Sequence, residues 1–188
     1  MLESLRKEPL TATFGREWVG ESLENPLTVV LIWVSVLIPW NIGFITQKYD
    51  LYYVRWAYLE FGNLFRGPGT EILLVNQAYE FQTGNGLFTT GYLIWGIGTA
   101  VFTIAVLYSI ALFMFEDRVA PFARPARVGG VLLTVTGGAF LLATAFIYQF
   151  GLPSIQIPLG AFMLVFFGYV LLTNSPEETG EDPHIIDR

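Results

Sequence analysis

The chain of 188 residues contains no cysteine, which removes disulfide cross-links, thiolate nucleophiles, cysteine-ligated zinc and iron–sulfur clusters. Histidine is almost as scarce. His184 stands alone in an acidic tail, so a histidine-ligated haem or multi-histidine metal centre would need ligands from another chain. A serine–histidine hydrolase is disfavoured for the same reason, because His184 has no defensible geometry toward Ser35 or Ser109. Among ten basic residues lysine appears only as Lys7 and Lys48, against sixteen acidic residues and a net charge of -6. Without a basic stripe to meet phosphates, nucleic acid is not an expected partner. No cofactor is expected.

The most informative absence concerns where charge is missing. Residues 26–46, 87–115, 128–150 and 155–173 hold no Asp, Glu, Lys, Arg or His. Hydrophobic residues make up 53% of the chain and charged residues 14%, with a mean hydropathy of +0.52. Such segregation is expected when lipid surrounds the middle of each run, since about 20 apolar residues cross a hydrocarbon core of about 30 Å. The sequence therefore predicts an all-α membrane protein: a four-transmembrane-helix bundle with an extracellular amphipathic aromatic helix between helices 1 and 2. Intramembrane ionisable groups mark proton relays, ion pathways and voltage sensors, so their absence disfavours pumps, proton-coupled transporters and aspartyl intramembrane proteases.

Residues 1–25 read as a polar cytoplasmic arm, unlike a cleaved signal peptide because the first apolar run begins late and has span length. Asn25-Pro26 suits a helix start. Pro39 cannot donate to the Ser35 carbonyl, which predicts a kink inside the first span and a need for partners at that carbonyl and at Asn41. The outer loop, 47–86, is aromatic. Leu51, Val54, Tyr58, Phe61 and Phe65 recur at helical spacing with Asp50, Arg55, Glu60 and Arg66 between them, predicting an interfacial helix anchored by Tyr52, Trp56, Tyr58, Phe61 and Phe65. Gly67-Pro68-Gly69 ends it, and residues 71–81 form a short element of undecided type. The connection 116–127 carries Arg118, Arg124 and Arg127, a turn at 151–158 precedes the fourth span, and 174–188 is an acidic cytoplasmic tail. The basic excess on the side of the arm and the 116–127 loop predicts a multi-pass plasma-membrane protein with both termini in the cytoplasm.

Candidate sites are sparse. Ser35, Pro39, Asn41, Thr99 and Thr103, with Tyr148, are a possible neutral polar notch within the membrane. Gly130, Thr134 and Gly138, four residues apart, suit close helix packing or a partner interface. Asp50, Glu60, Glu71 and Glu80 on the outer loop match no metal-ligand spacing. The sequence presents no catalytic or metal residues.

Four stretches carry a likeness: Glu17-Trp18-Val19-Gly20-Glu21, Ile38-Pro39-Trp40-Asn41, Tyr53-Val54-Arg55 and Ile157-Pro158-Leu159-Gly160. On these the chain resembles small, functionally unassigned multi-pass membrane proteins of halophilic archaea, a setting the low lysine content also suits. The resemblance implies a haloarchaeal plasma membrane and no activity. The expectation is a non-catalytic accessory, assembly or scaffold component, its partners being the bilayer and either another membrane protein or a second copy. The alternatives are a small permease or lipid-handling protein using the polar notch, and an outer-face enzyme using the loop carboxylates.

Overall fold

A computed structural model of the chain describes residues 21–45, 51–62, 71–81, 86–115, 124–150 and 155–173. The elements in order are α1 (Glu21–Leu37), β1 (Asn41–Ile45), β2 (Leu51–Arg55), β3 (Leu59–Gly62), β4 (Glu71–Leu74), α2 (Val75–Phe81), α3 (Gly86–Met114), α4 (Pro125–Phe150), β5 (Ile155–Ile157) and α5 (Leu159–Thr173). The protein is mostly helical and carries a small antiparallel sheet, which corrects the all-α expectation.

The long helices are α3 and α4. Thr89–Met114 and Pro125–Gln149 are long and apolar enough to cross a membrane, with mean hydropathies of 2.1 and 2.0. Neither run is interrupted by proline, and Pro125 occupies the first position of α4, where its missing N–H breaks no helical bond. The pair is antiparallel. A side chain added at Gly91 would meet Ile147 and Ala143, and one at Gly98 would meet Phe140, so these glycines set a close approach.

α1 and α5 flank that pair along one half of its length. Gly129 faces Thr28 and Leu171, placing the early part of α1 beside the end of α5. Gly168 of α5 sits against Thr134 and Gly130, and Gly137 against Ala161 and Val165. The small-residue stripe is therefore Gly130, Thr134 and Gly137. Gly138 has nothing within 4 Å of where a Cβ would stand, because at 100° per residue it has turned past the contact.

Two predicted spans change form partway. The first, 26–46, is helical to Leu37, and Asn41–Ile45 is a strand. Pro39 ends the helix rather than kinking it, since it has no amide to give and forces the preceding residue out of helical conformation. The helix also begins at Glu21, before Pro26. The fourth span, 155–173, begins as the strand Ile155–Ile157 and becomes helical at Leu159. The described residues of the outer loop do not form the expected aromatic helix either. Residues 51–55 and 59–62 are strands, residues 71–74 a further strand and 75–81 a short helix. The β-branched and aromatic residues of 51–61 suit a pleated surface better than a helix, and Gly62 lets β2 approach closely: a Cβ there would strike the backbone of Tyr52 and Tyr53. Phe65 lies outside the described residues.

The sheet order is β4-β3-β2-β1-β5, antiparallel throughout. Its two faces differ sharply. Paired residues share a face, so Ile157, Ile42, Val54, Phe61 and Ile72 form one row across all five strands. They point away from the helices, together with Phe44, Tyr52 and Ile155. The opposite face, packed on α3 and α4, carries Asn41, Tyr53, Arg55 and Glu60, all buried. The apolar side of this sheet is outside and the polar side is inside.

Candidate functional site

The site lies between the inner face of the sheet and the halves of α3 and α4 that α1 and α5 do not reach. Cross-strand pairing brings Asn41, Arg55 and Glu60 into one row, Asn41 opposite Arg55 and Arg55 opposite Glu60. Arg55 Nε donates to Glu60 Oε2 at 2.5 Å, with the two side chains 0% and 1% exposed. Arg55 Nη2 donates to the Tyr92 hydroxyl of α3 at 2.8 Å. The guanidinium lies 4.0 Å above the Tyr53 ring, a cation–π contact. Tyr53 in turn lies flat over Gly43, where any side chain would collide with its ring. With Nε and Oε2 in direct contact and both side chains out of reach of solvent, the two groups are a buried ion pair.

Beside it, Asn41 Nδ2 donates to Thr144 Oγ1 of α4 at 3.1 Å and to Gln156 Oε1 of β5 at 2.9 Å. Three buried atoms in this row have no hydrogen-bond partner: Asn41 Oδ1, Arg55 Nη1 and Glu60 Oε1. They amount to one two-hydrogen donor flanked by two acceptors, with no net charge. That set matches water or a small neutral polar molecule, which can accept from the guanidinium and donate to the oxygens. It does not match an isolated ion.

Below the row, the hairpin joining β2 and β3 is fastened carbonyl by carbonyl. Trp40 Nε1 donates to the Trp56 carbonyl at 2.9 Å and Trp95 Nε1 to the Ala57 carbonyl at 3.1 Å. Thr99 Oγ1 also bonds the Ala57 carbonyl, and the Val75 amide donates to the Tyr58 carbonyl at 3.0 Å. Trp40 stacks on Phe140 with ring centroids 5.0 Å apart and meets Trp95 at 5.7 Å.

The expected notch residues do not converge. Ser35 Oγ bonds the Leu31 carbonyl of its own helix at 2.7 Å and Thr103 Oγ1 the Thr99 carbonyl at 2.8 Å. Pro39 links α1 to β1, and Tyr148 is 62% exposed. Asn41 joins the polar row and Thr99 holds the hairpin. Of the anchor residues, Tyr52 and Tyr58 are exposed and Trp56 and Phe61 half-buried. Of the carboxylates, Glu60 is committed to Arg55, Glu71 pairs with Gly62 at the far end of β4, and Asp50 lies outside the described residues. Arg55, Tyr92, Thr144 and Gln156 were not expected at a site. The signal available was the two-residue alternation of Tyr53 and Arg55 against Tyr52 and Val54.

Near this site, Val75, Tyr79, Leu93, Gly96, Ile97 and Ala100 line an apolar cavity of about 340 Å³ between α2 and α3, which Tyr92 also reaches.

The fold and site thus define a mostly helical protein with an apolar exterior and a polar seam inside. The chain belongs to a family of unknown function, DUF7549, whose model matches residues 17–176. No curated protein matches the chain.

Proposed function

We propose that this protein is a non-catalytic, multi-pass component of a plasma membrane, an accessory, assembly or scaffold protein that binds another membrane protein or lipid. The observation that carries the membrane reading is the inverted distribution of polarity. Exposed positions on the helices include Leu93, Ile97, Ile104 and Leu107 on α3 and Phe162, Phe166 and Tyr169 on α5, while Thr28, Ser35, Thr99, Ser109, Thr136 and Thr144 are buried. Water selects the opposite arrangement; lipid tolerates this one, with hydroxyls bonded inside the bundle. In the four-span reading, α3 and α4 are full crossings and α1 and α5 belong to the first and last. The meeting of α1 and α5 at Gly129 supports both ends leaving the same side, and Arg124 and Arg127 at that end favour the cytoplasm. Low lysine and net acidity favour a haloarchaeal source.

An accessory role is supported by the exposed apolar side chains of α3 and α5, which offer contact to lipid or to another membrane protein. The test is purification of a tagged copy from native membranes in mild detergent, alongside a deletion strain. The expected result is stoichiometric recovery of one larger membrane protein whose complex is lost on deletion. Recovery of the chain alone, with every membrane complex intact in the deletion strain, would overturn the accessory role.

A second reading, a small permease, is favoured by the three unpartnered atoms of the polar row. Stopped-flow light scattering of proteoliposomes challenged with glycerol or urea separates the two. Entry faster than into protein-free vesicles selects the permease, and equal rates select the accessory role.

A further inference from the structure

We propose that the five-stranded sheet is itself a lipid-facing element, seated in one leaflet with its apolar face against acyl chains, so that the first and last crossings are each half helix and half strand; this rests on the membrane reading above. The first support is length. The apolar part of α1, Pro26–Leu37, and the 15 residues of α5 rise about 18 Å and about 22 Å at 1.5 Å per residue. Both fall short of a hydrocarbon core of about 30 Å. β1 follows α1 after the three residues Ile38, Pro39 and Trp40, and β5 precedes α5 with Pro158 alone between them. Their five and three residues add about 16 Å and about 10 Å at about 3.3 Å per residue. Each composite reaches the required span.

Depth supplies the second support. The hairpin tip at Ala57 meets Trp95 and Thr99, and Tyr58 OH lies 3.3 Å from Thr103 Oγ1. Thr99 and Thr103 stand near the middle of Gly86–Met114, so the sheet descends alongside α3 to its midpoint and is not a cap above it. At that depth no water is available to irregular backbone, and each exposed carbonyl must be satisfied by protein. The tip meets that demand: the carbonyls of Trp56, Ala57 and Tyr58 are all bonded within the protein. A turn facing water would have no need of two indoles and a threonine.

Chemistry of the face supplies the third. Its exposed residues carry no charge, and through Ile157 to Leu159 and Phe162 they run on into the exposed side of α5. The sheet's open edges are short, β4 having four residues and β5 three, and the Leu74 amide is taken by Gln77 Oε1 at 3.0 Å.

The cysteine-free chain allows a direct test with the full-length protein in phosphatidylcholine–phosphatidylglycerol vesicles. Nitroxide labels are placed singly by Phe44→Cys, Ile72→Cys and Ile155→Cys on the sheet, with Leu107→Cys on α3 as reference. Collision with oxygen and with a water-soluble nickel chelate is read by electron paramagnetic resonance. The expected result is an oxygen preference at the sheet positions within about twofold of that at Leu107, since all face lipid. A several-fold preference for the chelate at the sheet, or exclusion of both reagents by a covering protein, would overturn the proposal while Leu107 remained in lipid. Chelate access at Leu107 itself would instead mark failure of the membrane reading. The three sites lie on three different strands, so a label that perturbs one leaves the others readable.

Discussion

Arg55 and Glu60 face each other across the β2–β3 hairpin with Nε and Oε2 2.5 Å apart, both out of contact with solvent. They stand five positions apart in sequence, and the pairing exists only because the chain reverses between them. A buried pair of this kind costs much desolvation, so its loss is asymmetric. Glu60→Gln or Arg55→Met alone should destabilise the folded state by about 3–5 kcal/mol, because the remaining charge is left unpaired. The double replacement Arg55→Met with Glu60→Leu should recover most of that loss. Thermal unfolding in detergent, followed by tryptophan fluorescence, checks the cycle; additive losses would show that the two do not act as a pair.

Tyr92 is the helix's contribution to the same seam. Tyr92→Phe keeps the ring against Arg55 and removes the acceptor for Nη2, with an expected cost of about 1–3 kcal/mol for a buried donor left unmade. The change should shift the unfolding midpoint while leaving helix content by circular dichroism unchanged. No shift would place the hydroxyl outside the network.

Glycine positions give opposite expectations. Gly168→Leu should be severely destabilising, since its Cβ would meet Thr134 and the Gly130 backbone and α5 would have to move off α4, at a cost of about 1–3 kcal/mol or more. Gly96→Ala meets nothing within 4 Å and replaces the poorest unconstrained helix former with the best, so stability should be unchanged or rise by up to about 1 kcal/mol. Unfolding midpoints for the two variants decide it, and equal effects would contradict the packing described.

Tyr53 reports on the sheet. Gly43→Val would occupy the space of its ring, displacing it from Arg55 and opening the seam. Amide exchange in β1 and β2 should accelerate well beyond that in α3 and α4. Uniform exchange across all four elements would show that the sheet and the helices open together.

Hydropathy located the two long helices closely, because uninterrupted apolar runs such as 87–115 and 128–150 leave no other structure in play. The same measure found 26–46 and 155–173 as apolar stretches but could not tell helix from strand within them. Apolarity is needed in either form, and the change of form falls at Pro39 and Pro158, whose effect is local. In residues 51–62 the helical spacing of Leu51, Val54, Tyr58 and Phe61 was coincidental: Val54 and Phe61 are cross-strand partners, Tyr58 lies in the turn between β2 and β3, and Leu51 stands an odd number of positions from Val54. The polar row was hidden for a different reason. Arg55 and Glu60 looked like the wet side of an interfacial helix, and only the register with Asn41 shows that they point inward. Of the small residues on α4, Gly130, Thr134 and Gly137 stand against α5 and Gly138 stands open, a difference of one position that spacing of small residues does not resolve.

Lipid as the solvent for the exposed faces of α3, α4 and α5 is the claim on which the rest depends. Membranes from cells expressing the full chain, washed with alkaline carbonate and then extracted with detergent, test it most directly. The account predicts that the protein stays with the pellet through the carbonate wash and is released only by detergent. Recovery of folded, monodisperse protein in the aqueous fraction without detergent would contradict it.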